Sequence, residues 1–307
     1  MKIGIVGAGG IGSYYAGLLS RAGHSVFLLA RSEHLRAVNA HGLEVCTPDE
    51  TFVSKPNATD NGLDLRDSEF VIVAVKSYSV VEIGPTLVGA AQAGATIVPL
   101  LNGIDVAERL EALGVSRASI VGGLVAASLF RTAPGKVERR SPFDRVVLGE
   151  LDRVPRDRTT RLVEAFAAAG TAARMSEDIG LDLWRKFALI VVMNIACGLV
   201  RGPMGLMLAT ERGRSIITDA LGEIVRVSRA AGSALSDDDE ARIRADLFAL
   251  APSTRPSFLA DLERGGPTEL ELLTGNVSRL GRKYAVATPI HDVATAAFEA
   301  LTQPMDR

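Results

Sequence analysis

The chain has 307 residues, 47% hydrophobic and 23% charged, with a formal net charge of −2 at pH 7. That length buries one large or two moderate cores, and the near-neutral charge carries no electrostatic footprint for nucleic acid or an anionic membrane. The four histidines (His24, His34, His41, His291) never pair at ligand spacing and Cys46 lies far from Cys197, so neither a zinc site nor a disulfide framework is expected, and both cysteines read as reduced thiols of a cytoplasmic protein.

Lys2 precedes an apolar stretch, but glycines interrupt it, and "KIGIV" reads as a strand running into a glycine turn rather than as a signal peptide. "GIGSYYAGLLSRAG" follows as a helix closed by Gly23. "SVFLLA", "FVIVAV", "ATIVPL" and "ASIVGG" are the second to fifth strands, with helical stretches between several of them. Continuous apolar runs alternating with helices predict a parallel sheet covered on both faces. "GKVERR" and "DRVVLGE" read as a later antiparallel pair, "TTRLVEAFAAAG" as an amphipathic helix and "TAARM" as a last strand.

After about Ser176 the strand-like runs stop and helical periodicity continues to the end. "LDLWRKFALIVVMNIACGLV" predicts one long, largely apolar, buried helix; its run from Phe187 to Val200 holds Asn194 and Gly198 and is too short to span a bilayer. "RSIITDALGEIVRVSRAAG" is a helix closed by Gly232, and "SDDDEARIRADLFAL" one opened by a Ser-Asp cap with an acidic first turn. In "GPTELELLTGNVSRLGRKYA", Pro267 marks a helix start. The expected domains are residues 1–176 and 177–307, with no Pro/Gly linker between them and a cleft where they pack.

The turn Gly7-Ala8-Gly9-Gly10-Ile11-Gly12 carries the spacing G-x-G-x-x-G between a strand and a helix. In that context the first glycine permits the tight turn, the second the approach of a pyrophosphate, and the third close helix–strand packing, with the helix N-terminus facing the phosphates. Where the second strand ends, a carboxylate would grip a ribose with two free hydroxyls; Arg31 stands there instead. A cation suits a 2′-phosphate and points to NADP, the alternative being a surface arginine. Lys76, just past the third strand, is a second cation at the ligand-binding edge, or a solvated loop lysine.

The segments "GAGGIG", "VAVKS", "LLNGID", "WRKFALIVVMN" and "RPSFLADLERGGPTELELLTGNVSRLGRKYAVATP" together resemble the 2-dehydropantoate 2-reductase (ketopantoate reductase) family over essentially the whole chain. The resemblance implies an α/β fold with an N-terminal Rossmann-type, doubly wound parallel sheet followed by an all-helical C-terminal domain. It also implies NADPH-dependent reduction of a 2-keto acid, 2-dehydropantoate in pantothenate and coenzyme A biosynthesis. Lys186 matches the family's catalytic lysine, and burial in an apolar helix would depress its pKa towards that of a useful proton donor; without the match it reads as a snorkelling lysine. Glu269 matches a glutamate that orients the lysine, although Glu early in a helix also suits the macrodipole. Asn102 matches an asparagine near the nicotinamide, with Asn-Gly a common turn pair, and Ala126 joins the cofactor set. Asn194 and Ser257 match substrate-binding residues, Ser257 alternatively capping a helix; Asp261 reads as structural.

Three positions depart from the family's pattern: Ile190, Met204 and Thr254 stand where asparagine is often found. A pocket cannot discriminate through hydrogen bonds it lacks, so the reductase chemistry survives these changes while the identity of the keto acid stays open. Two alternatives follow: a same-family reductase of a different 2-keto acid, and a non-catalytic NADP-sensing protein. The expected partners are a small-molecule 2-keto acid and, through the helical domain, a second copy in a homodimer; no metal, nucleic acid or membrane is expected.

Overall fold

The computed structural model describes residues 1–302. The chain divides into two compact units: Met1–Leu101 with Asp105–Ile179, and Asn102–Ile104 with the chain from Gly180 onward.

In the first unit the order is β1 Lys2–Val6, α1 Gly10–Arg21, β2 Ser25–Leu29, α2 Ser32–His41, β3 Leu43–Cys46, β4 Thr51–Ser54, β5 Asn57–Thr59, β6 Phe70–Val73, α3 Val80–Gln92, β7 Thr96–Pro99 and α4 Val106–Ala112. Then come β8 Val121–Ala126, β9 Leu129–Ala133, β10 Lys136–Arg139, β11 Arg145–Glu150, α5 Asp157–Ala168 and β12 Ala172–Met175. The main sheet has the order β5-β2-β1-β6-β7 and is parallel throughout. Alternate residues of its strands serve two separate cores. Ile3, Ile5, Leu28, Ile72 and Val98 pack with Tyr15 and Leu19 of α1 and Phe166 of α5. Val6, Val71, Val73 and Ile97 pack with Ile83 and Leu87 of α3 and Leu110 of α4. A sheet buried on both faces needs apolar residues at both parities of each strand, which is why β1, β2, β6 and β7 are largely apolar runs; the edge strand β5 is not. The chain moves outward from β1 to β2 and β5, then returns to the other side of β1 at β6, so the strand order reverses at β1, where open α/β sheets bind ligands.

The remaining strands depart from the sequence reading. "GKVERR" and "DRVVLGE" do not pair with each other. β10 lies antiparallel to β9 across the Pro134-Gly135 turn and parallel to β3, in a sheet ordered β4-β3-β10-β9. β11 lies between β8, antiparallel, and β12, parallel. The fifth apolar run therefore belongs to this separate three-stranded sheet, and touches the main one through a single parallel bridge, Ile97 to Ile120. The short half-polar strands β3, β4, β5 and β9 lacked a readable period.

The second unit is helical: α6 Ile179–Leu199, α7 Met204–Leu208, α8 Glu211–Ala230, α9 Asp237–Phe248, α10 Ser257–Arg264, α11 Thr274–Tyr284 and α12 Pro289–Thr302. Its core joins Ala188, Val192, Ile224, Leu259, Val277 and Phe298 of five helices, all with no exposed surface. The expected cap of α9 is present as a reciprocal box: Ser236 Oγ accepts from Asp239 N–H and the Asp239 carboxylate accepts from Ser236 N–H. The helix expected near Pro267 starts later. One 3₁₀ turn, Leu270–Leu272, intervenes, and α11 begins at Thr274 after a break at Leu273, whose φ is −109° and ψ −98°. Among the described residues no helix is long and apolar enough to cross a membrane.

α12 is opened from another helix. Glu223 of α8, 2% exposed, accepts the backbone N–H groups of Ile290 at 2.9 Å and His291 at 3.2 Å, and bonds Nδ1 of the buried His291 at 2.6 Å. One buried carboxylate thus satisfies two helix-end donors and one imidazole nitrogen that would otherwise be orphaned. Replacing it, Glu223→Ala, is expected to lower unfolding stability by about 3 kcal/mol, because charged hydrogen bonds are lost and buried donors remain. Chemical denaturation checks this; an unchanged midpoint would show that the cap carries no stability.

Candidate active site

The turn after β1 shows a separate requirement at each glycine. Gly7 has φ +107°, and a Cβ there would lie 2.7 Å from the backbone of Ala74 and Val75. A Cβ at Gly12 would meet the Gly7 carbonyl oxygen at 1.9 Å, so this glycine lets α1 start against the turn. A Cβ at Gly9, by contrast, would meet nothing within 4 Å. Close packing demands glycine at Gly7 and Gly12, while Gly9 borders open space of the kind a pyrophosphate fills. Gly9 is also the N-cap of α1, and no side chain caps that end. Ala8 and Ile11 are half-buried within the turn. A dinucleotide's phosphates fit this arrangement of open backbone and helix N-terminus.

Arg31 stands directly before α2, close to the end of β2 as expected, and its Nη1 pairs with Glu82 Oε1 at 2.7 Å, both side chains being well exposed. Lys76 is half-buried and leads into the 3₁₀ turn after β6; Ala126 is the half-buried last residue of β8.

Lys186, Asn102 and Glu269 come together within the second unit. Lys186 stands two turns into α6, and its Nζ donates to Asn102 Oδ1 at 3.0 Å. Asn102 comes from the loop after β7, one of three residues there that belong to the helical unit. Gly103 explains the placement: its φ is +118°, and a Cβ would be 2.9 Å from Leu272, so the Asn-Gly turn sits tightly on the Leu270–Leu272 turn. Glu269 immediately precedes that turn, is 6% exposed, and its carbonyl accepts from Leu272 and Leu273 N–H at 3.1 Å. It is not in the first turn of a helix, so the macrodipole does not account for it. Burial pushes the Lys186 pKa down from 10.5 to about 8, and the negative charge of Glu269 works in the opposite direction.

Arg185 was not singled out in the sequence. Its Nε bonds Asp239 Oδ1 at 2.8 Å and its Nη1 bonds Asp182 Oδ1 at 3.3 Å. The same Asp239 completes the α9 cap, so the residue beside Lys186 fastens α6 to the start of another helix. The signal was the run of aspartates after Ser236, legible as a cap but not as an arginine partner.

The other candidates occupy further positions in the helical unit. Asn194 is 1% exposed, two turns past Lys186 on α6, and its Oδ1 has no hydrogen-bond partner among the described residues. Ser257 is exposed and is the first residue of α10; Pro256 takes the N-cap position and Ser257 makes no capping bond, which removes the capping alternative. Met204 is fully buried in the core with its N–H on the Thr254 carbonyl at 2.9 Å, while Ile190, one turn past Lys186, is half-buried against the same core. Asp261 pairs with Arg264 one turn on, in keeping with a structural role.

The ketopantoate reductase PanE/ApbA family model matches residues 3–153, and the model of that family's C-terminal domain matches residues 178–302. The chain belongs to the ketopantoate reductase family. A 2-dehydropantoate 2-reductase of Halobacterium salinarum is 30% identical, over 94% of this chain and 95% of the relative. An uncharacterized oxidoreductase of Bacillus subtilis, YkpB, is 28% identical over 97% and 98%. The crystal structure of a PanE/ApbA family ketopantoate reductase from Ralstonia eutropha JMP134 superposes with a TM-score of 0.88 at 28% identity, covering 98% of both chains. As a family member the protein is an oxidoreductase of the 2-dehydropantoate 2-reductase type, acting between a small keto acid and its CH–OH form with a pyridine nucleotide as redox partner.

The glycines separate packing from binding. Gly12→Ala is expected to lower the melting temperature, since the added carbon has no room. Gly9→Ala is expected to melt like the parent while binding the nucleotide more weakly, by calorimetry. Equal melting temperatures for both variants, or unimpaired binding by Gly9→Ala, would contradict these assignments.

Proposed function

We propose that the protein reduces 2-dehydropantoate to pantoate with NADPH, and that Lys186 supplies the proton. The supporting observation is the buried Lys186 ammonium, with a pKa brought to about 8, held by Asn102 and within the field of Glu269. NADPH, when bound, supplies the hydride to the ketone carbon. The chain's part is to stabilise the oxygen on which negative charge develops and to protonate it: Lys186 Nζ gives up one proton as the C–O double bond becomes a C–O–H group. An acid with a pKa near the working pH is mostly protonated and still gives up its proton readily. Asn102 Oδ1 accepts one of the three ammonium N–H bonds and so fixes which way the others point. Glu269 keeps the lysine charged against the cost of burial. Gly7, Ala8, Gly9, Gly10, Ile11 and Gly12 hold the pyrophosphate, Arg31 and Lys76 the adenosine phosphate end, Asn102 and Ala126 the nicotinamide end, and Asn194 and Ser257 the substrate.

Ile190 favours a second reading, the same reduction of a less hydroxylated 2-keto acid, because it puts an apolar half-buried side chain one turn from Lys186. Met204 gives it no support, being sealed in the core. Rates on 2-dehydropantoate and on simple branched 2-keto acids decide between them: kcat/KM highest for 2-dehydropantoate supports the first reading, and a clear preference for the branched acids replaces it with the second.

The chemistry has two further expected outcomes. Lys186→Met should lower kcat for keto-acid reduction by roughly 10²–10⁴-fold, the usual worth of a general acid, while leaving nucleotide affinity near that of the parent. In the parent, kcat/KM for reduction should fall as the pH rises through about 8, because the ammonium is then lost, and oxidation of the hydroxy acid should rise over the same range because the free amine is then the base. A pH profile for reduction that stays flat to pH 10 would contradict the role of Lys186.

A further inference from the structure

The glycine turn has a neighbour that its own strand–helix–strand unit does not supply. A Cβ on Gly10 would lie 2.2 Å from the carbonyl oxygen of Leu129 and 3.0 Å from the N of Phe130, so the backbone of β9 runs directly across the turn. Leu129 and Arg131 are two apart on that strand and project to the same side. Leu129 packs into the core beneath, and Arg131 Nη1 donates to the carbonyl of Ala8, inside the turn, at 3.3 Å. The hairpin is held at its far end as well. Gly135 N–H donates to His34 Nδ1 at 3.0 Å, so the ring proton sits on Nε2, which donates to Ser13 Oγ of α1 at 3.1 Å. His34 stays neutral: burial first, and the charge of Arg131 second, lower its pKa to about 4.

Arg131 is therefore an exposed guanidinium anchored to the backbone of the turn. Among the described residues no carboxylate pairs with it, whereas Arg139, the last residue of β10, and Arg140 after it pair with Asp49 and Glu138. One of its five N–H donors is on Ala8, and charge-assisted bonds to a phosphate are the strongest use of the rest.

We propose that Arg131 binds the pyrophosphate of the pyridine nucleotide, reaching it from the strand that crosses the glycine turn. This rests on the reading of Gly7–Gly12 as the nucleotide turn. It adds a formal positive charge to a site that otherwise offers only backbone dipoles, and it serves the part common to NADPH and NADH, whereas Arg31 would serve the 2′-phosphate alone.

Calorimetric titration of the parent, Arg131→Gln, Arg131→Lys and Arg31→Gln with NADPH, NADH and 2′-AMP tests this. Arg131→Gln should weaken NADPH and NADH alike, by roughly 10- to 100-fold as for a lost charged hydrogen bond, and leave 2′-AMP, which lacks a pyrophosphate, unchanged. Arg131→Lys should fall between parent and Arg131→Gln, since it keeps the charge and loses the fork. Arg31→Gln should weaken NADPH and 2′-AMP but not NADH. NADH binding by Arg131→Gln equal to the parent's, with matched melting curves, overturns the proposal and leaves the glycine turn's role intact. A parent that binds neither NADPH nor NADH overturns the underlying reading of the turn, and the proposal with it.

Discussion

Keeping an ammonium away from water is expensive, and Lys186, a half-buried residue on α6, meets that cost with two neighbours. Stripping water from the charge disfavours it. A carboxylate bonded directly to Nζ would remove the cost and also the usefulness, since the pKa would climb and the proton would be held too firmly. The partner bonded to Nζ is instead a neutral amide oxygen, Asn102 Oδ1, and the negative charge of Glu269 supplies a smaller correction. The balance brings the lysine's pKa down to about 8, in the range the proposed proton transfer needs. Each supporting feature is backbone geometry of a specific kind: the positive φ of Gly103, its contact with Leu272, and the single 3₁₀ turn that follows Glu269.

The glycine turn after β1 is arranged differently. Nothing there is titratable except by way of neighbours, and its function is in the places where side chains are absent. Gly12 lets the helix start against the turn, Gly10 lets β9 cross it, and Gly9 leaves room. The four glycines of the motif thus encode three close backbone contacts, of Gly7 with Ala74 and Val75, of Gly10 with β9 and of Gly12 with Gly7, and one open space at Gly9. One of those partners, β9, comes from more than a hundred residues later in the chain.

What could be read from the residues alone follows from the same physics. The main-sheet strands β1, β2, β6 and β7 were legible because burial on both faces makes them largely apolar runs, and α6 because it is apolar on most sides; β5, a short polar edge strand, was not. The Ser236 cap was legible because its donors and acceptors are local. Pairing among β8 to β12 was not: β9 is short and half-polar and showed no strand period, so β10 was matched to the next readable strand, β11, instead of to β9 across its tight turn. Lys186, Asn102 and Glu269 could be proposed only from the family resemblance, since 84 residues separate the first two and no periodicity links them. Arg185 escaped notice because its partner, Asp239, already had a sufficient local explanation. Met204 stood out through the family resemblance as a departure in the pocket, and its burial makes it a core residue.

The most direct test of this account follows the lysine itself. Reductive methylation with ¹³C-formaldehyde labels the lysine amines, and NMR titration, assigned with Lys186→Met, reads the Lys186 pKa without substrate or turnover. The expected value is about 8 in the parent, and lower still in Glu269→Gln, because the negative charge that opposes the effect of burial is then gone. A Lys186 amine that titrates near 10.5 like an exposed lysine, or that is indifferent to Glu269→Gln, would contradict it.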